Sequence, residues 1–199
     1  MKKVVLKKNE DRRIKKGHLW IFSNEILKIE NNPENGELVD VFDFTGNFLA
    51  KGFYNANSLI AVRVLSKQKE ILIEKIIEDR LVQAFELRKQ FYPNRDSYRL
   101  VFSESDFLPG LIIDKYNNTF VLQIYSAGIE KNIEITLKIL KEKFNAKNIF
   151  TKNDSYFRKL EGLNEEDKIY FGEKETELID DGIIKYKVDF NLSSFFFNF

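Results

Sequence analysis

Arg12, Arg13, Lys15 and Lys16 stand within five residues, and spacings of one, three and four place most of them on one side of a helical turn. Clustered cations of this kind contact phosphates, or simply form a solvated surface turn. They belong to a wider asymmetry: residues 1–28 carry nine Lys/Arg against three acids, a net charge of +6, whereas the whole chain is only +1. The basic run leads directly into His18, Trp20, Phe22 and Asn24. Cations beside aromatics match a polyphosphate with stackable bases, so nucleic acid is the leading partner. A second polar cluster, Tyr54-Asn55-Ala56-Asn57-Ser58, offers amide and hydroxyl groups that reach sugar or base edges, or simply cap a turn. Glu104, Asp106 and Asp114 put three carboxylates within eleven residues. Such a set binds magnesium or acts as acid and base, and is equally well explained as a turn.

Other chemistries are excluded. The chain has no cysteine, which removes disulfides, thiolate zinc sites and a cysteine nucleophile. His18 is the only histidine, and nothing near it builds a triad or a metal site. The nine glycines are never closer than six residues apart, so there is no G-x-G-x-x-G and no P-loop. No apolar run of roughly 18 residues spans a bilayer, and no secretory signal precedes the charged N-terminus. These features fit a cytoplasmic protein with no membrane partner.

The elements that must position these residues fall into two groups. Residues 2–7 read as a strand and 11–17 as a helical turn closed by Gly17. Strands are predicted over 37–43, 47–54 and 58–65, with Thr45-Gly46-Asn47 as a hairpin turn. The period then changes: Ile73, Ile76, Ile77, Leu81, Ala84, Phe85 and Arg88 define an amphipathic helix over 71–91, stopped at Pro93. Strands follow near 98–103, 110–115 and 119–126, then a helix over 129–144, a strand over 147–151 and a helical turn over 154–160. Strands over 168–171, 175–179 and 183–190 close the pattern, the last two turning at Asp180-Asp181-Gly182. The predicted fold class is α+β, with a β-rich part followed by helices and a mixed or antiparallel sheet.

With these motifs in hand, the segment Arg12–Ile26 resembles the opening of the PUA domain in bacterial S-adenosylmethionine-dependent 23S rRNA methyltransferases of the cytosine-C5 group. Gly52-Phe53-Tyr54-Asn55, Ser58 and Ala61-Val62-Arg63 are similar to that domain's later strands. Tyr98–Tyr116 resembles the start of the family's central α+β domain, and Lys152-Asn153-Asp154-Ser155, Arg158 and Glu161-Gly162-Leu163 resemble a further signature. The resemblance implies a small PUA-like β-barrel over residues 1–68 and a central α+β domain over 69–190. It implies 23S ribosomal RNA as partner, S-adenosylmethionine as cofactor of the complete family enzyme, and a homodimer in that enzyme.

The last residues depart from the family. Asn191–Phe199 lacks the family's Lys-Thr-Gly and ends in a Phe-rich run, which reads as an aberrant or truncated tail. The corresponding expectations are that the Rossmann-like methyltransferase domain is absent and that no cofactor binds this chain. No catalytic residue is expected, because the family's cysteine nucleophile has no counterpart. The expected role is positioning of rRNA, with Arg12, Arg13, Lys15, Lys16, His18, Asn24, Tyr54, Asn55 and Arg63 as RNA contacts. The alternatives are a stand-alone RNA-binding module and a metal-dependent hydrolase built on Glu104, Asp106 and Asp114.

Overall fold

A computed structural model describes residues 1–173, 175–180 and 184–190. Val4, Val5 and Leu6 make the basic N-terminus start as a buried strand, β1 (Lys3–Leu6). The turn α1 (Arg12–Lys15) and strands β2 (Trp20–Phe22), β3 (Ile26–Glu30), β4 (Leu38–Phe42), β5 (Phe48–Tyr54) and β6 (Ile60–Ser66) follow. They form one six-stranded sheet in the order β2-β6-β5-β4-β1-β3, antiparallel except for the β1–β4 pair. Its edge strands β2 and β3 are joined by only the 3₁₀ turn Ser23–Glu25. Four residues reach roughly 14 Å at most, whereas the edges of a flat six-stranded sheet lie about 24 Å apart. The sheet must therefore roll until its edges approach at that corner. It closes around Val4, Leu6, Ile14, Ile21, Val39, Val41, Ala50, Tyr54, Val62 and Val64.

The second part begins with helix α2 (Ile73–Phe91), whose Ile76, Ile77, Leu81 and Ala84 are buried at the spacing read from the sequence. Strands β7 (Ser97–Phe102), β8 (Leu111–Tyr116) and β9 (Thr119–Ile124) lead to helices α3 (Ala127–Lys131) and α4 (Ile133–Phe144). Then come β10 (Asn148–Thr151), α5 (Ser155–Glu161) and β11 (Ile169–Phe171). The five strands order as β11-β10-β9-β8-β7. Only β9 and β10 run parallel, and a parallel pair needs a crossover, here α3 and α4. Strands β12 (Thr176–Asp180) and β13 (Lys185–Asp189) pair as a separate hairpin. No helix among the described residues is long and apolar enough to cross a membrane.

Three sequence expectations change. The helix expected over 129–144 is two helices, broken at Asn132, whose side-chain amide donates to the Gly128 carbonyl at 2.8 Å. Strand β3 was not predicted; most of its side chains are exposed, so it lacks a clean apolar alternation. The turn read at Asp180-Asp181-Gly182 lies partly outside the described residues, and the tail over 191–199 lies wholly outside them.

The two sheets share a core. Phe53 of β5 and Leu65 of β6 pack into the cluster formed by Leu81, Leu100, Leu111, Leu122 and Leu140. Gly128 is needed at this seam, because a Cβ there would sit 1.9 Å from the Phe53 ring.

Candidate nucleic-acid interface

The basic turn is built on one apolar anchor. Ile14 is fully buried in the first sheet's core, so the flanking Arg12, Lys15 and Lys16 are left in solvent. Gly17 ends the turn at φ +98°, a conformation that favours glycine, and its amide donates to the Ile14 carbonyl at 3.0 Å. The four cations are not equivalent. The Arg13 guanidinium donates to Glu25 Oε1 at 2.9 Å and meets His18 Nε2 at 2.7 Å. It also lies over the Phe22 ring, 5.0 Å from its centre. Buried Glu25 is itself fixed by the Phe22 amide at 2.7 Å. Arg13 is thus held in one orientation.

Lys15 pairs with Asp11, one helical turn back. Hydrogen bonding from Lys15 holds the Asp11 carboxyl below its usual range, and the same bond raises the Lys15 ammonium, which stays charged at neutral pH. Arg12 and Lys16 are exposed and have no side-chain partner among the described residues. An unpaired exposed cation is the form that replaces phosphate counterions at least cost.

Beside the turn, His18, Trp20 and Phe22 form an edge-to-face series, with ring centres 5.9 and 6.3 Å apart. Asn24 is exposed, and its carbonyl accepts from Lys7 Nζ at 2.7 Å. Arg12, Arg13, Lys15, Lys16, His18 and Asn24 therefore belong to one short stretch of surface around α1 and β2.

The other three candidates do not join them. Tyr54 is buried in the first core. Asn55 is also buried; its side-chain amide donates to the Glu161 carbonyl at 3.0 Å and to Glu161 Oε2 at 2.9 Å. Arg63 donates to Glu161 Oε1 at 2.8 Å and lies 3.6 Å from Glu104. The physical reason is shared. This end of β5 and β6 is covered on both faces, by its own core and by the second part of the chain. Gly52, Phe53, Tyr54 and Asn55 are all buried in succession, with no alternation.

The three acids do not converge on a metal either. Asp106 takes a two-pronged bond from Arg88, with Nη2 to Oδ2 at 2.6 Å, and accepts the Phe102 amide at 2.6 Å. Asp114 is held by Arg99 at 2.8 and 3.1 Å. Glu104 accepts from Trp20 Nε1 at 2.7 Å. Each carboxylate faces its own donor, and the described residues contain no group of three His, Cys, Asp or Glu able to hold an ion. The hydrolase alternative loses its site. Spacing gave no sign of Glu161 or Arg158, both buried in α5.

The comparisons with known proteins bear on this surface. Residues 4–67 match the PUA-like domain family. The match contains the basic turn and all six strands of the rolled sheet. Over 191 residues the chain is 38% identical to ribosomal RNA large subunit methyltransferase I of Vibrio parahaemolyticus, covering 94% of this chain and 48% of that protein. A candidate large subunit methyltransferase of Methanocaldococcus jannaschii is 37% identical over 180 residues, covering 89% and 46%. Homology to large subunit rRNA methyltransferases thus runs through both sheets. The chain spans about half the length of the curated relatives it matches.

Among solved structures, a candidate methyltransferase crystallised with SAH superposes with a TM-score of 0.76 at 17% identity, over 95% of this chain and 48% of that one. A candidate SAM-dependent methyltransferase from Streptococcus mutans gives 0.75 at 18%. This corrects the expectation that a methyltransferase fold is absent. Nearly the whole chain follows the fold of these methyltransferase structures, and its mixed α+β architecture is part of theirs.

The described glycines do not fit an adenosyl cradle. Gly36, Gly52, Gly110, Gly128 and Gly172 each have protein atoms within 2.6 Å of where a Cβ would stand, and Gly162 has the Asn57 amide at 2.8 Å. Gly17 and Gly46 face open space in isolated turns. No run of free glycine amides forms among them.

Proposed function

We propose that this chain holds ribosomal RNA of the large subunit for methylation of the cytosine-C5 kind, gripping it with the basic turn α1. Residues 1–68 act as the RNA-binding domain, and residues 69–190 as a central α+β domain fixed rigidly against it. The observation that carries this reading is the asymmetry within the turn: Arg12 and Lys16 stand in solvent with no side-chain partner among the described residues, beside a locked Arg13 and a tethered Lys15. Free cations supply affinity, while the locked guanidinium over Phe22 sets orientation. His18 and Asn24 add contacts at the same edge. The 23S rRNA partner is supported by the homologous methyltransferases, which are large subunit enzymes by name.

The chain alone is proposed to bind without catalysing. Cytosine-C5 transfer of the implied type needs a thiolate to add at C6, and these residues include no cysteine. The direct test is RNA affinity across a salt series. Four phosphate contacts give a log–log slope of roughly −3. Replacing Arg12, Arg13, Lys15 and Lys16 by alanine is expected to flatten that slope to near zero; a slope left intact in the quadruple variant removes the turn from the interface.

A further inference from the structure

Between the end of the basic turn and the loop after β7 lies a cavity of about 310 Å³, lined by Gly17, His18, Leu19, Trp20, Glu104 and Phe107. It draws four residues of one signature region and two of another into a single cleft, across the two parts of the chain. Its size sits at the small end of the ~300–1,000 Å³ typical of ligand pockets. Three of its linings are aromatic, and the sole carboxylate among them is Glu104.

The loop that delivers Glu104 and Phe107 is strained. Ser103 and Phe107 both adopt positive φ, +47° and +58°. For a bulky aromatic this left-handed backbone is a true outlier, and such conformations persist only where surrounding contacts hold them. Here the contacts are visible. Asp106, within the loop, is clamped by Arg88. The Gly110 amide donates to Ser103 Oγ at 2.8 Å. The Arg80 guanidinium covers the Phe107 ring, 4.8 Å from its centre. The outcome is an aromatic ring left half exposed at the mouth of the cleft.

Glu104 is oriented but not saturated. Its Oε1 accepts from Trp20 Nε1 and lies near Arg63, and its Oε2 accepts from Ser103 Oγ at 2.5 Å. A carboxylate has about four acceptor sites, so lone pairs remain for a donor entering from solvent. The Glu104 side chain is about one-third exposed. Aromatic faces beside an oriented acceptor are what an unpaired nucleobase needs: a stacking wall, and a partner for an exocyclic amino group.

We infer that this cleft binds one unstacked RNA base bearing an exocyclic amino group, with Phe107 and the His18–Trp20 pair as its walls and Glu104 as acceptor. The inference rests on the RNA-binding reading of α1, which borders the cleft. Uracil, with a carbonyl where cytosine has its amino group, is disfavoured by repulsion from the carboxylate.

Trp20 is the chain's only tryptophan, so its fluorescence reports on this cleft alone. The test titrates the intact chain with hexacytidylate, hexaadenylate and hexauridylate. Hexacytidylate and hexaadenylate are expected to quench Trp20 and to bind about tenfold more tightly than hexauridylate. Phe107→Ala should weaken hexacytidylate roughly tenfold without changing the salt slope. Glu104→Gln should abolish the preference over hexauridylate. Phe107 lies outside the core, so its variant should keep the parent's urea midpoint, which separates lost binding from lost folding. Equal affinities without quenching, or an unaffected Phe107→Ala variant, would overturn the cleft while the salt slope upholds the interface. Absence of any salt-dependent RNA binding overturns both.

Discussion

Arg12 and Arg63 both belong to the first sheet's domain, yet they live in opposite worlds. Arg12 projects from α1 into water with no side-chain partner among the described residues. Arg63, on β6, faces Glu161 at 2.8 Å and Glu104 at 3.6 Å where the two parts of the chain meet. Formal charge is the same, but availability differs. An arginine sealed against carboxylates fixes how two sheets sit together, and one without a carboxylate is free to take a phosphate. Counting basic residues along a sequence does not separate the two; their nearest acids do, and those lie up to 98 residues away.

The sharpest way to break this contrast is to remove the buried acid. Glu161→Ala takes from the Arg63 guanidinium its 2.8 Å carboxylate, leaving only Glu104 at 3.6 Å, and takes from the Asn55 amide one of its two acceptors, the main-chain carbonyl of residue 161 being the other. Stranding a buried charge of this kind costs about 3–5 kcal/mol, measurable as a fall in urea-unfolding free energy. A loss under about 1 kcal/mol would mean that the seam does not depend on this network. Gly128→Ala attacks the same seam by volume, since the new methyl would overlap the Phe53 ring. Overpacking predicts a loss of roughly 1–3 kcal/mol. Phe53→Leu in the same background should recover part of it, and strict additivity of the two changes would argue against contact. On the exposed side, Asp11→Asn should release Lys15 from its tether. Exposed ion pairs are weak, so the expected gain in RNA affinity at low salt is only roughly two- to fivefold. Unchanged affinity would place Lys15 outside the contact.

Much of the architecture was legible because local physics decides it. The i, i+3, i+4 spacing of Ile73, Ile76, Ile77 and Leu81 reads as a helix because that face must pack on a core, and Ile76, Ile77 and Leu81 are buried there with Ile73 half-buried at the edge. The basic turn and its Gly17 stop could be read from residue types alone, since nothing distant determines them. Strand β3 escaped because its Leu27, Lys28 and Ile29 are all exposed, leaving no alternation to detect. The burial of Asn55 and Arg63 is hidden in the sequence for a different reason. Each looks like a surface polar residue until Glu161, 106 and 98 residues downstream, is brought against it. The buried run Gly52-Phe53-Tyr54 was the available clue, because a strand without alternation is covered on both faces.

The most direct measurement of the central claim is lysine-acylation footprinting of the intact chain, with and without a 23S rRNA fragment, read by mass spectrometry. RNA gripped by α1 should shield Lys15 and Lys16 while exposed Lys75 on α2 and Lys159 on α5 react as before. Protection of Lys75 or Lys159 with Lys15 and Lys16 still reactive would contradict the assignment of the basic turn as the surface that holds the RNA.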